Sequence, residues 1–492
     1  MIEGRLAMSK SILERYPEYE LTIGMEVHVQ LNTASKIFCS CPNKFGDKPN
    51  TNICPICAGY PGTLPVLNKK VVDYGIMTGL ATNSTINRLN YFSRKHYTYP
   101  DLPKNYQITQ DENPICLDGH VMIKDAAGND KKVRLVRIHI EEDAGKNTHG
   151  SNGESFVDLN RTGTPLLEIV SHPDLTSAQE TRDYLNKLHA IVVYLGVSDG
   201  NMEEGSFRAD TNISVRKKGA PAYGTRVELK NINSFKFIAQ AIEFEAERQI
   251  TMLESGERIT QETRLWDSKK NQTYFMRSKE EAQDYRFFTD PDLPAVYIDD
   301  AWLEAIKKTL PELPDAKIAR FQEQYGVSAY DAGVLIEEQV VANFFEQAAK
   351  LCGNAKLTLN WVSRDVLGYL KEKKLSITSS KITPALLAEL ICAIDKGVIN
   401  NKVAQDIFLE MAESGKSPQQ IIHDQGLQQI DSVEEIEAVI KNVIAANPDN
   451  VAKLQAGNER LFGFFVGQVM KETKGKGNPQ LINDLLRKYL VI

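Results

Sequence analysis

Along LTIGMEVHVQL, apolar and polar positions alternate without a break. Leu21, Ile23, Met25, Val27, Val29 and Leu31 fall between Thr22, Gly24, Glu26, His28 and Gln30. A period of two predicts a strand with one apolar and one polar face. Similar runs follow at VRLVRIHIEED (133–143), RADTNISVR (208–216) and TRVELKNI (225–232). Together they predict a mixed or antiparallel sheet that keeps one face open.

The period changes to helical in two places within this region. TSAQETRDYLNKLHAIVVYLG offers Thr176 or Ser177 as N-cap, Glu180 at capping-box spacing from Ser177, and a stop at Gly196. NSFKFIAQAIEFEAERQITMLESG runs to Gly256 with apolar residues at helical spacing. After DPDLPAV and the prolines of LPELPD (310–315), nearly every segment reads as helix. KITPALLAELICAIDKG and NNKVAQDIFLEMAESG are amphipathic and close on glycine. In NPQLINDLLRKYL, Asn478 is the N-cap and Pro479 sits at N1. The expectation is an α+β chain: a head over 18–310, a helical middle over 311–415 and a small helical tail over 416–492. Residues 1–17 are set apart as an extension, in which Ile2-Glu3-Gly4-Arg5 reads as a protease-cleavage scar and Met8 as a native start.

The 492 residues suggest roughly three domains by length. A hydrophobic fraction of 42% and a charged fraction of 25% are those of an ordinary globular protein. The net charge of −7 gives no global attraction to nucleic acid, so any such binding must use local patches. One patch is the tail: from Val451 to Ile492 seven Lys and Arg face three Asp and Glu. No run approaches the ~18 apolar residues of a membrane span. No apolar signal segment opens the chain, so a cytoplasmic setting with reduced thiols is expected.

Four of the seven cysteines crowd into FCSCPNKFGDKPNTNICPIC. Cys39 and Cys41 are followed after twelve residues by Cys54 and Cys57. Two close pairs across a short loop match a four-thiolate zinc site. The alternatives are four reduced thiols without a ligand, or a disulfide pair. Four thiolates leave no open coordination position, so the zinc reading is a structural one.

The polar strand faces carry a different chemistry. Glu26 and His28 point the same way. Glu141, Glu142 and Asp143 end one strand, and Glu168 lies among apolar neighbours in TPLLEIV. Arg208, Asp210 and Asn212 share a face, and Arg226, Glu228 and Lys230 share another. Carboxylates on stiff strands, interleaved with cations, suit Mg2+ and nucleotide phosphates. A solvated strand face is the plain alternative. No Walker-type loop is present. NYFSRKHYTYPDLPKNYQITQ interleaves five aromatic residues with Arg94, Lys95, His96 and Lys104, a mixture that grips phosphates and stacks on bases. An ordinary ordered loop with buried tyrosines is equally open.

Several motifs carry a resemblance. IGMEVHVQL, FSRKHYTYPDLPKNYQITQ, HIEEDAGK, VDLNRTGTPLLEIVS, MEEGSFRADTNIS, ELKNINSF and DYRFFTDPDLP resemble, in the same order, the B subunits of the tRNA-dependent aspartyl/glutamyl amidotransferases. LFGFFVGQVMK and GNPQLINDLL resemble that family's YqeY-like module. The resemblance implies a cradle-like head related in fold to glutamine synthetase, which binds ATP, Mg2+ and the acceptor end of a misacylated tRNA. The side-chain carboxylate of Glu-tRNA(Gln) or Asp-tRNA(Asn) would be phosphorylated, and ammonia would then displace phosphate. The family's catalytic and magnesium positions match Glu26, His28, Glu142, Glu168 and Asp210, with Lys95 near the same site. Arg208, Glu204 and Lys230 are read as nucleotide-binding. The family's zinc knuckle matches Cys39, Cys41, Cys54 and Cys57.

No G-x-S-x-G elbow or other glutaminase nucleophile is evident. By the same resemblance, ammonia would come through a tunnel from an amidase A subunit, with a small C subunit completing a heterotrimer. A non-catalytic tRNA-binding scaffold is the alternative from another class, and a ligase of free glutamate is a weaker third.

Overall fold

The computed structural model describes residues 11–150, 152–278, 285–426, 432–455, 458, 460–473 and 477–490. The Ile2–Arg5 stretch lies outside them. The chain divides into two compact units, 1–314 and 315–492.

The first unit is built on β1 (Tyr19–Gln30), β2 (Asp130–Glu142), β3 (Pro165–Ser171), β4 (Phe207–Lys217), β5 (Val227–Lys230), β6 (Glu262–Asp267) and β7 (Gln272–Ser278). They lie in the order β7-β6-β5-β4-β1-β3-β2, and short strands at Cys116–Leu117 and Thr85–Ile86 extend the far edge. With His120–Lys124, which pairs β2, the sheet has ten strands among the described residues. β5 and β6 run parallel, whereas β4, β1, β3 and β2 are antiparallel neighbours. The sheet is therefore mixed, with an antiparallel centre.

The alternation along β1 does what its period demands. Leu21, Ile23, Met25, Val27 and Val29 are buried. Their face is covered by α1 (Lys69–Ala81), α2 (Ala178–Tyr194) and α3 (Phe235–Glu254). Val71, Ile76, Leu185, Leu188, Ile238 and Ile242 belong to the same core. At the start of α2 the Ser177 hydroxyl accepts the Glu180 N–H at 3.1 Å. The Glu180 carboxylate turns instead to the Thr176 N–H at 2.8 Å, so the capping box is offset by one residue. Ile12, in a single helical turn at Ile12–Arg15, also joins this core, and its N–H is held by Glu243.

The other sheet face carries no helix layer from these elements and collects the polar side chains. One irregularity matters for the site. Ser171 pairs with Leu135 and Val170 with Arg137, which leaves Val136 as an extra residue in β2. Such a bulge inverts which residues face which side of the sheet. Val133 and Leu135 are buried before it, Ile138 and Ile140 after it.

The second unit is helical and contains two apolar clusters. One draws on residues from Phe321 to Ile422, the other on residues from Ile436 to Leu490. Its caps follow local sequence. Thr383 caps a helix that has Pro384 in its first turn, and Gly415 closes Asn401–Ser414 at φ 78°. The Asn478 side chain accepts from Gln480 and Leu481 N–H.

Candidate functional site

The centre of the open sheet face is set by cross-strand register. His28 on β1 stands opposite Arg208 on β4 and Glu168 on β3, and Glu168 stands opposite His139 on β2. Residues directly opposite share a face. His28 Nε2 lies 3.4 Å from Glu168 and 3.6 Å from Glu141. His139 Nε2 lies 3.3 Å from Glu168 and 3.6 Å from Glu141. Two histidines thus sandwich two carboxylates. His28, Glu141 and Glu168 each offer one ligand atom within 4.8 Å of the others. Two oxygens and one imidazole nitrogen at that spacing fit a divalent cation.

Burial disfavours the charged form of both histidines, but Glu168 and Glu141 outweigh it and raise both pKa values, that of His139 to about 9. Burial opposes ionisation of Glu168 as well, yet the two rings hold it well below its ordinary range. The signs set a pH window for the metal-free chain. His139 is raised above its ordinary 6.5, so its contribution is complete below pH 6.5 and lost as pH rises through about 9. Glu168 contributes above the ordinary 4.5 and is lost on acidification. Thermal melts with chelator present should fall on the alkaline side, and His139→Asn should flatten that fall. Parallel curves for the two proteins would contradict the assignment.

A second polar group lies beside the first. Glu26 faces Asp210 across β1 and β4 and accepts from Asn212 Nδ2 at 2.9 Å. Lys230 on β5 pairs with Asp210 and lies 3.4 Å from Glu228. Arg208 donates to Asp143 at 2.9 Å, and Gln30 donates to the same carboxylate oxygen at 3.0 Å. Of these, Gln30, Arg208 and Asp210 line a cavity of about 630 Å3, together with Arg161, Glu204 and Asn231. That volume is in the range of a nucleotide pocket.

The structure thus brings Glu26, His28, Glu168 and Asp210 onto one face, with Arg208 and Glu204 lining the adjoining cavity and Lys230 paired to Asp210 beside it. It sets Glu142 apart. Glu142 accepts from Lys104 Nζ and from the Ile108 N–H at 2.8 Å. Lys95 stands in a separate three-stranded sheet, its Nζ 4.8 Å from the Tyr285 ring centre. His139 occupies the site without being named from sequence, and Glu141 and Asp143 are named there only as part of the acidic strand end, not in the ligand set. The bulge at Val136 is the reason, because the Val133/Leu135 alternation run forward puts 139 and 141 on the apolar face.

The four cysteines also converge, with their sulfurs within 4.8 Å of one another. Cys54 and Cys57 Sγ are 3.8 Å apart. Zn–S bonds of about 2.3 Å in a tetrahedron require about 3.8 Å between sulfurs, so the donor set fits the ion. Cys57 is lowered to about 4, first by a hydrogen bond with Cys39, whose own pKa is raised by the same contact. The loop between the pairs grips the segment 157–160. Asn50 binds Val157, Asp158 and Leu159, and Asn52 N–H donates to Asn160 at 2.8 Å. Asp158, Asn160 and Arg161 line the large cavity. The cysteine loop therefore braces one wall of the site.

The chain matches known proteins along most of its length. Residues 21–304 match the family described as the GatB/GatE catalytic domain, and residues 343–490 match the GatB domain. The chain is 52% identical over 472 residues to the B subunit of the aspartyl/glutamyl-tRNA(Asn/Gln) amidotransferase of Prosthecochloris aestuarii, covering 96% of this chain and 98% of that protein. It is 53% identical over 477 residues to the protein of the same name from Geotalea daltonii, covering 96% and 99%. The protein of that name from Thermodesulfovibrio yellowstonii is 52% identical over 473 residues, at 96% and 99%. By this match along both units, the chain belongs to the family of aspartyl/glutamyl-tRNA(Asn/Gln) amidotransferase B subunits.

Proposed function

We propose that this chain activates the side-chain carboxylate of Glu-tRNA(Gln), Asp-tRNA(Asn) or both with ATP and then admits ammonia to it, giving Gln-tRNA or Asn-tRNA. The observation that carries this reading is the convergence of His28, Glu141 and Glu168 beside a cavity lined by Arg208 and by Asp210, which pairs with Lys230. A divalent cation such as Mg2+ bound there supplies positive charge against the nucleotide phosphates. Asp143 holds Arg208 in the cavity lining, and Asp210 with Glu228 holds Lys230 beside it, so both cations are fixed before the nucleotide arrives. Such fixed charge is what phosphoryl transfer needs.

In the first step a substrate carboxylate oxygen attacks the γ-phosphorus and ADP leaves. In the second, ammonia attacks the acyl carbon and the bond to phosphate breaks. Phosphate leaves far more readily than oxide from a carboxylate. The ammonia would come from an amidase A subunit, braced by a C subunit, in a cytoplasmic heterotrimer. Four thiolates that hold structural zinc complete the cofactor set.

The test is ATP turnover with Glu-tRNA and Asp-tRNA by the assembled complex, with hydroxylamine added to trap the acyl phosphate as a hydroxamate. Hydroxamate that depends on ATP and tRNA supports the reading. ATP turnover confined to another protein of the complex would leave this chain as a tRNA-binding scaffold.

The basic tail gives a separate prediction. Deleting the residues after Gly457 removes most of its excess positive charge, six Lys and Arg against three Asp and Glu. KM for tRNA should rise about tenfold at low salt, and the difference should narrow as salt is raised, because fewer counterions are displaced. An unchanged KM would make the excess a solvated surface.

A further inference from the structure

Lys36 is completely buried, one of the largest side chains with no exposure. Its ammonium faces three acceptors: the Asn52 carbonyl at 2.7 Å, the Leu159 carbonyl at 3.4 Å and Cys57 Sγ at 3.7 Å. Three acceptors use all three donors of a protonated lysine, whereas a neutral amine has only two. A buried ammonium without an anion is costly. Among the described residues, no carboxylate forms an ion pair with Lys36, and the sulfur is the one acceptor of the three able to carry charge. Four neutral thiols would leave the cation uncompensated. Four thiolates on a divalent ion carry a net charge of −2 and would not.

We propose that Lys36 is the built-in counter-ion of the four-cysteine centre, and that it sets how firmly the metal is held while tying the metal loop to Leu159, whose neighbours Asp158 and Asn160 line the cavity. This rests on the zinc reading of the cysteines and goes beyond it. Asn52 lies between the two cysteine pairs, and Leu159 lies in the segment that the loop grips. One ammonium therefore joins the ligand Cys57, the loop and the 157–160 segment. Outer-shell partners of this kind change metal affinity by about 10–100-fold when removed.

The experiment measures zinc in the purified full chain and its transfer to a chromogenic chelator, for the native chain, Lys36→Met and Lys36→Gln. Native chain with about one zinc, and variants that surrender it about tenfold faster or more, are expected. Native chain without zinc would overturn the metal reading itself. Zinc-loaded variants that release the ion at the native rate would overturn only the role of Lys36. If neither variant folds, the native chain decides by amine labelling and mass spectrometry: Lys36 should be protected with zinc bound and lose protection when zinc is stripped. Equal labelling in both states would overturn the proposal.

Discussion

Replacing Glu141 by Gln is expected to lower ATP-dependent amidation by about a hundred- to a thousandfold. Removing one anionic ligand from a divalent site takes away several kcal/mol of transition-state charge stabilisation, and each ~1.4 kcal/mol is tenfold in rate. Gln preserves the size of the side chain and can still accept the 3.2 Å hydrogen bond from Thr109. The loss therefore reports charge rather than packing. Raising Mg2+ should recover part of it if the defect is in metal affinity.

The neighbouring residue is the control. Glu142→Gln should leave turnover within about tenfold, because Glu142 faces Lys104 and the Ile108 N–H rather than His28. Its cost should appear as ~1–3 kcal/mol of stability, from weakening a charged hydrogen bond to a side chain that is almost buried. Turnover by the assembled complex and chemical denaturation of the head separate the two effects. Abolished activity in Glu142→Gln, with Glu141→Gln near normal, would reverse the assignment.

The second large effect is expected at Cys54. Cys54→Ser should release zinc first and lower the melting temperature of the head by about 5–10 °C, equivalent to ~2–4 kcal/mol. Cys54 does more than offer a sulfur, since its N–H also donates to Cys57 Sγ at 3.1 Å. Loss of the ion would slacken the loop that holds Asp158 and Asn160 against the cavity. KM for ATP should then rise more than kcat falls. Metal analysis, melting and steady-state kinetics on the same preparation check this. A variant that kept its zinc and its fold but lost all turnover would contradict a structural centre.

The convergence of the four cysteines was legible because it is written in their spacing. Cys-x-Cys and Cys-x-x-Cys bring their sulfurs together through local turns. The β1 face was legible for a similar reason: Glu26 and His28 sit in an unbroken alternation, and period two alone aims them together. Lys36 was not legible, since lysine by type belongs at the surface. Only the convergence of Asn52, Cys57 and Leu159 creates a place for a buried ammonium.

Lys95 and Glu142 show the same limit. Both lie in motifs that look functional, yet the Glu142 carboxylate meets Lys104 and the Ile108 N–H, and Lys95 sits on a strand of a separate three-stranded sheet. The bulge at Val136 arises from how β2 pairs with β3, and neither strand contains that information by itself. The sequence alone determined the faces of β1, the helix caps, the grouping of the four cysteines and, through its motifs, the family. Tertiary structure alone decided which of three consecutive acidic residues meets His28 and which cation neutralises the thiolates. Those choices depend on register between strands distant in sequence, where one extra residue turns every side chain beyond it to the opposite face.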